Sequence, residues 1–266
     1  MDSQDGKIIV SRHGKKFSGQ HGLNIGEGGI PRPSPASPED KAFIYITPEG
    51  AQELREKGRE VLGDTPFDSA LFMTSDYIRA LQSALYFTED ANLLNGREID
   101  QRKEIGMGYD GANMNHQKII PHYEVNQDEF VRNLYRDHFF KPQEEGLPFM
   151  GEWTRQFIKS IADGIEYLQQ NRGHEQSLLA HFTHAPNIDG LAMIALECLG
   201  IDPIKEIVEV DDDYKAVRMG EMFTGNIYNL DSENPSMDLN VKEEVKGYNL
   251  SDLRRIEKDI AYKIAA

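Results

Sequence analysis

Three apolar runs, Ile8-Ile9-Val10, Ala70-Leu71-Phe72-Met73 and Leu178-Leu179-Ala180, read as buried strands, and helical periodicity follows each of them along the chain. A βαβα order of this kind restricts the fold to an open α/β sheet with helices packed on it. The first strand covers about residues 7–11, and the third lies within Ser177-Leu178-Leu179-Ala180-His181-Phe182. Thr47-Pro48-Glu49 opens a helix that runs to about Leu62, with threonine at N-cap, proline at N1 and a carboxylate facing the positive dipole end. A second helix is expected over about 76–87, with Ile78, Leu81 and Leu85 as its apolar stripe. Trp153, Phe157, Ile161, Ile165 and Leu168 recur at helical spacing and give a long amphipathic helix whose Trp153 belongs to the core. A helix over 188–199, strands near 221–230 and 238–245, and a closing helix from 251 complete the pattern.

Two segments interrupt it. Residues 19–40 are rich in Gly, Pro and Ser, fit no packed element, and follow directly on Arg12-His13, which favours a loop bordering a site. Residues 112–150 are polar, carry His116, His122 and His138, and hold one helix at about 127–140; they read as an inserted cap.

Composition narrows the partners. A formal net charge of −16 repels nucleic acid and acidic membranes at long range, so an anionic ligand needs a local basic pocket, and a small metabolite suits that better than a polymer. The acidic start Met1-Asp2-Ser3-Gln4-Asp5 and the lack of a long apolar segment lead us to expect a soluble, cytoplasmic protein. Cys198 is the only cysteine, which excludes an internal disulfide and a thiolate metal cluster, and its apolar surroundings make it core filler. His116 and His122 lack the spacing and third partner of a zinc site. Asp211-Asp212-Asp213 reads as a solvated turn, because consecutive side chains point in different directions.

Chemistry gathers at the strand ends. The first strand runs into Arg12-His13-Gly14, the second into Ser75-Asp76-Tyr77-Ile78-Arg79, and the third into Thr183-His184. If these strands are parallel neighbours, their carboxyl ends share one edge and the side chains converge on one ligand. Two arginines, two histidines and a helix N-terminus make a site for a dianionic phosphoryl group. His181, inside its strand, is structural.

These residues resemble the histidine phosphatase superfamily, the phosphoglycerate mutase-like proteins. Arg12-His13-Gly14 is similar to the family signature, and Thr47-Pro48-Glu49-Gly50 to its helix start. The run from Thr74 through Arg79-Ala80-Leu81-Gln82-Ser83-Ala84 is similar to its second arginine segment, and Thr183-His184 to its second histidine loop. The agreement spans most of residues 7–200. It implies a three-layer αβα sandwich with a mostly parallel central sheet, in a single domain over 1–266 with insertions at about 19–40 and 112–150. It also implies that His13 attacks phosphorus to form a phosphohistidine while Arg12, Arg79 and His184 hold the phosphoryl oxygens, with no metal or other cofactor.

A general acid must protonate the leaving oxygen. Glu104-Ile105-Gly106-Met107-Gly108-Tyr109-Asp110-Gly111 looks like a shortened copy of the first branch's acid-bearing stretch, so Glu104 is the first candidate and Asp110 the second. The other branch carries an aspartate after the second histidine, where this chain has Ala185. The chain departs from the family at Lys15, Lys16 and Gly19, where an acidic residue, a hydroxyl residue and an asparagine are usual. Ser18 or Asn24 could replace the lost asparagine contacts. Lys16 is assigned to phosphate binding, and the two lysines point to a more anionic substrate. The mutases' Gly-Trp loop and Tyr-Gly-x-Leu-Gln-Gly element are absent from the sequence, which favours hydrolysis of a small phosphorylated metabolite. A mutase-like phosphotransferase and a catalytically weak phosphate-binding or regulatory module stay open as alternatives, as does homo-oligomerisation.

Overall fold

A computed structural model describes residues 4–16, 45–91, 93–94, 98–105, 138–142, 149–195, 221–241 and 244–266. Its elements, in chain order, are β1 (Gln4–Arg12), α1 (Pro48–Leu62), β2 (Phe67–Thr74), α2 (Ile78–Thr88), β3 (Ile99–Gln101) and a 3₁₀ turn (Lys103–Ile105). There follow α3 (Met150–Gln170), β4 (Gln176–Thr183), α4 (Ala185–Ala195), β5 (Met222–Tyr228), β6 (Ser236–Val241), β7 (Glu244–Asn249) and α5 (Leu250–Ala265).

The strands form one sheet in the order β3-β2-β4-β1-β5-β6-β7. Its core is parallel: β3 with β2, β2 with β4, and β4 with β1. From β1 outward the strands β5, β6 and β7 run antiparallel, so one side of the sheet is an antiparallel extension. The register sets Thr74 opposite Phe182 and Arg12 opposite Thr183, which brings the carboxyl ends of β2, β4 and β1 to one edge.

Alternation along the strands makes two packed faces. Ile8, Val10, Leu71, Met73 and Leu179 pack with Phe157, Ile161 and Ile165 of α3, Ile188 of α4, and Leu253 and Ile260 of α5. Ile9, Phe72, Leu178, Ala180 and Phe182 pack on the opposite side with Leu62 of α1 and with Ala84 and Phe87 of α2. Helix, sheet and helix are therefore three layers, as expected from the sequence. Trp153 lies in the core at 8% exposure. No helix of the described residues is long and apolar enough to cross a membrane.

Local signals explain the helix ends. Thr47 Oγ1 accepts from Gly50 N at 3.1 Å at the start of α1. Asn249 and Asp252 form a reciprocal capping box that starts α5 one residue before the expected Ser251. Helices α1 and α2 touch through Gly58, where any Cβ would run into the Phe87 carbonyl.

Several expectations need correction. The apolar stripe assigned to α2 is its less buried side: Ile78 and Leu81 are half-buried and Leu85 is 44% exposed. The helix instead buries Arg79, Ala80, Ser83, Ala84 and Phe87, because small side chains let α1 come close and Arg79 is drawn to the strand edge. Helix α2 also begins at Ile78 rather than 76, which puts Arg79 in its first turn. The expected strand 238–245 spans parts of both β6 and β7. Strand β3, three residues at the sheet edge, was not expected at all. The insertions at 19–40 and 112–150 lie almost wholly outside the described residues, as do Ser18, Asn24, Asp110, His116, His122, Cys198 and Asp211 to Asp213.

His181 gives the fold an acid-sensitive point. Its ring is buried against Phe157, with centroids 5.4 Å apart, and its Nε2 lies 3.3 Å from Ser160 Oγ, while Nδ1 has no hydrogen-bond partner among the described residues. Burial first, and the nearby Arg102 second, lower its pKa from 6.5 to about 3 against the opposing Ser160 contact. Between those values the unfolded chain binds a proton that the folded chain refuses, so stability is lost as pH is lowered, by about 1.4 kcal/mol per unit. Urea unfolding at about pH 7.5 and about pH 4.5 is expected to show His181→Leu losing roughly 2–3 kcal/mol less than the natural chain across that step. Equal losses in the two proteins would remove His181 as the cause.

Candidate active site

The edge formed by β2, β4 and β1 positions each candidate side chain through its own main chain. His13 N donates to Thr183 O at 2.9 Å and Arg12 N to Glu221 O at 3.1 Å, fixing the end of β1 between β4 and the residue before β5. Gly14 N then donates to Ser83 Oγ at 3.0 Å, and Ser83 Oγ–H donates to Arg79 O at 2.6 Å. One serine of α2 thus holds the turn after His13 and the main chain of Arg79 together. On the α1 side, Thr47 N donates to Lys15 O at 2.8 Å, and Gly50 is where Lys15 crosses too closely to allow a Cβ. Lys16 pairs in an isolated bridge with Ile46, whose N–H donates to Gln82 Oε1 at 2.9 Å.

Arg12, His13, Arg79 and His184 are all at most 5% exposed. The His13 ring lies 5.2 Å from the His184 ring, centroid to centroid. His13 Nδ1 sits 2.9 Å from the Gly14 carbonyl oxygen. A carbonyl can only accept, so Nδ1 carries the proton and the neutral ring keeps its lone pair on Nε2. Burial lowers the His13 pKa well below 6.5, helped by Arg79, Arg12 and Lys16 and opposed by the Gly14 hydrogen bond. Near neutral pH the ring is uncharged.

His184 has the other tautomer. Its Nδ1 is 3.4 Å from Arg79 Nη2, which can only donate, so Nε2–H donates to Ser75 Oγ at 2.8 Å. Burial, then Arg79, His13, Arg12 and Lys16, hold its pKa well below 6.5. Tyr77 packs edge-on to this ring at 4.6 Å, and its own ring carries the Arg79 guanidinium at 4.4 Å. In this arrangement both nitrogens of His184 face protein groups. The ring orients Arg79 and Ser75, and a direct bond to a ligand oxygen requires one of those contacts to be exchanged. Two helix N-termini lie at the same edge: Arg79 is in the first turn of α2, and the His184 carbonyl accepts from Asn187 N and Ile188 N in the first turn of α4 at 3.2 and 3.3 Å. Positive dipole ends, arginines and neutral imidazoles together suit an anion with several oxygens.

Glu104 is exposed, in the middle of the 3₁₀ turn Lys103–Ile105. The turn spans two strand ends, since Arg102 N donates to Thr74 O at 2.7 Å and the Ile105 carbonyl reaches Thr183 and Asn187. Asp110, the second acid candidate, lies outside the described residues. Lys16 is half-buried beside the pocket, and Lys15 is exposed.

Sequence reading passed over the residues that hold this site: Ser83, Tyr77 and Asn187. Ser83 lies four residues after Arg79 on one helix face, a spacing that could have flagged it. Asn187 contacts a main-chain carbonyl from a distant turn, for which no sequence signal exists.

No protein-family model matches the chain, and no curated protein matches it. Among solved structures, it is similar to a phosphoserine phosphatase mutant of Entamoeba histolytica, at 14% identity over 84% of this chain and 95% of that one, with a TM-score of 0.47. A mycobacterial hydrolase is similar at 11% identity over 92% and 97% of the two chains, with a TM-score of 0.49. A putative alpha-ribazole-5'-P phosphatase of Escherichia coli is similar at 16% identity over 92% and 95%, with a TM-score of 0.44.

Proposed function

We propose that this protein is a metal-independent phosphatase that hydrolyses a small phosphate ester through a phosphohistidine on His13. The observation that carries the reading is the hydrogen bond from His13 Nδ1–H to the Gly14 carbonyl, which leaves a neutral Nε2 lone pair in a pocket flanked by Arg12 and Arg79. Nε2 attacks phosphorus, the bond from phosphorus to the leaving oxygen breaks, and Glu104 gives that oxygen its proton. Arg12 and Arg79 neutralise the phosphoryl oxygens throughout, and His184 orients Arg79. A water molecule then attacks phosphorus, Glu104 takes its proton back, and the N–P bond breaks to release phosphate and restore neutral His13. Lys16 at the pocket rim adds charge that favours a substrate with a further anionic group.

The test is hydrolysis of 4-nitrophenyl phosphate with excess chelator. Turnover is expected to be unaffected by the chelator. Loss of turnover on chelation would remove the metal-independent route, and no turnover in any condition would favour a phosphate-binding module.

A further inference from the structure

The Ile105 carbonyl accepts from two buried side chains. Thr183 Oγ1–H and Asn187 Nδ2–H both donate to it, the second at 2.7 Å, and Asn187 Nδ2 also lies 2.8 Å from Thr183 Oγ1. Thr183, Asn187 and Ile105 are each 0% exposed. The Thr183 hydroxyl hydrogen and both lone pairs of the Ile105 carbonyl are in use. Thr183 also accepts the His13 N–H through its own carbonyl at 2.9 Å and precedes His184 in the chain. One strand end therefore holds the nucleophile's main chain, the second histidine and the turn that carries Glu104.

We infer that Thr183 and Asn187 are positioning residues, which lock the 3₁₀ turn so that the Glu104 carboxyl meets the leaving oxygen. The inference rests on the reading of Glu104 as general acid. Rigid placement matters here because Glu104 is exposed. The far side of the turn is tied to β2 by Arg102 N and Thr74 O, so the Ile105 clamp supplies the second fixed point. Loosening it through the Thr183 and Asn187 side chains displaces the acid, while the Thr183 main chain still accepts the His13 N–H. A displacement of about 1 Å at a reacting group is worth on the order of 10²-fold in rate.

The experiment compares kcat for phenyl phosphate, whose leaving group needs a proton, with kcat for 4-nitrophenyl phosphate, whose leaving group needs it far less. Glu104→Gln, Asn187→Leu, Thr183→Val and Thr183→Ser are measured singly, and Asn187→Leu also in the Glu104→Gln background. Asn187→Leu and Thr183→Val are expected to lose roughly 10- to 100-fold on phenyl phosphate and less than about threefold on 4-nitrophenyl phosphate. Thr183→Ser, which keeps the hydroxyl, is expected to restore the natural pattern. In the Glu104→Gln background, Asn187→Leu should add less than about twofold, because the group it positions is already gone.

Equal losses on both substrates, or a full additional loss in the double variant, would overturn the clamp and leave a purely structural role. A Glu104→Gln protein with unchanged leaving-group dependence would overturn the acid assignment and the clamp with it. If Asn187→Leu does not fold, the Thr183→Val and Thr183→Ser pair decides the matter alone.

Discussion

His13→Ala is expected to lower kcat on 4-nitrophenyl phosphate by on the order of 10⁴- to 10⁶-fold, the scale seen when a covalent nucleophile is removed. Among the described residues no neighbour can replace it. The nearest imidazole, His184, has its ring nitrogens on Ser75 and Arg79, and the arginines are permanently protonated. Binding should survive better than turnover, because Arg12, Arg79 and Lys16 remain, so inorganic phosphate is expected to bind within about tenfold of its natural affinity. The intermediate itself can be trapped. A brief incubation with radiolabelled substrate, quenched in alkaline denaturant, should leave label on the natural chain that is lost on acidification, as an N–P bond requires. Label retained by His13→Ala, or equal rates in the two proteins, would place the nucleophile elsewhere.

Much of the fold could be read from the sequence because its strands are apolar on both faces. Ile9 and Phe72 pack toward α1 and α2, and Ile8 and Met73 toward α3, so consecutive hydrophobic residues gave an unambiguous strand signal. The errors have physical causes. Helix α2 was assigned the wrong buried side because hydrophobicity predicts burial only when no stronger demand exists, and here the pocket claims Arg79 and Ser83 while Ala80 and Ala84 permit close helix packing. Strand β3 escaped notice because Ile99-Asp100-Gln101 is short, mostly polar and stabilised by pairing with β2. Between β6 and β7 the sequence Lys242-Glu243 has neither glycine nor proline, so nothing in it announced a reversal. Strand-end logic named Arg12, His13, Arg79 and His184, and the structure brings these four side chains to one edge. It could not name the Ile105 carbonyl, since main-chain acceptors have no residue identity.

Arg79 should be the most consequential residue after His13, and its two contributions can be separated. Its guanidinium is buried, stacks on Tyr77 at 4.4 Å and meets His184 Nδ1 at 3.4 Å, so it is already aimed and desolvated before a phosphoryl group arrives. Replacing it by methionine is expected to lower kcat/KM by roughly 10²- to 10³-fold, as for removal of one preorganised donor to a developing anion. The same change acts on pH dependence. Burial is the largest cause of the depressed His13 pKa and Arg79 the second, so removing this cation lets that pKa rise while burial still holds it down. Attack needs neutral His13, and the acid limb of kcat/KM for the free enzyme follows its pKa, so the limb moves to higher pH in Arg79→Met. Arg79→Lys keeps the charge but loses the planar fork. It should therefore lose rate while leaving the limb near its natural position. The measurement is kcat/KM from about pH 4.5 to about pH 7.5 for the three proteins on one substrate, so that the substrate's own ionisation is common to all. A limb that stays fixed in Arg79→Met would show that burial alone keeps His13 neutral. A limb that moves equally in both variants would mean that the position of the guanidinium, and not its charge, sets the histidine's proton affinity.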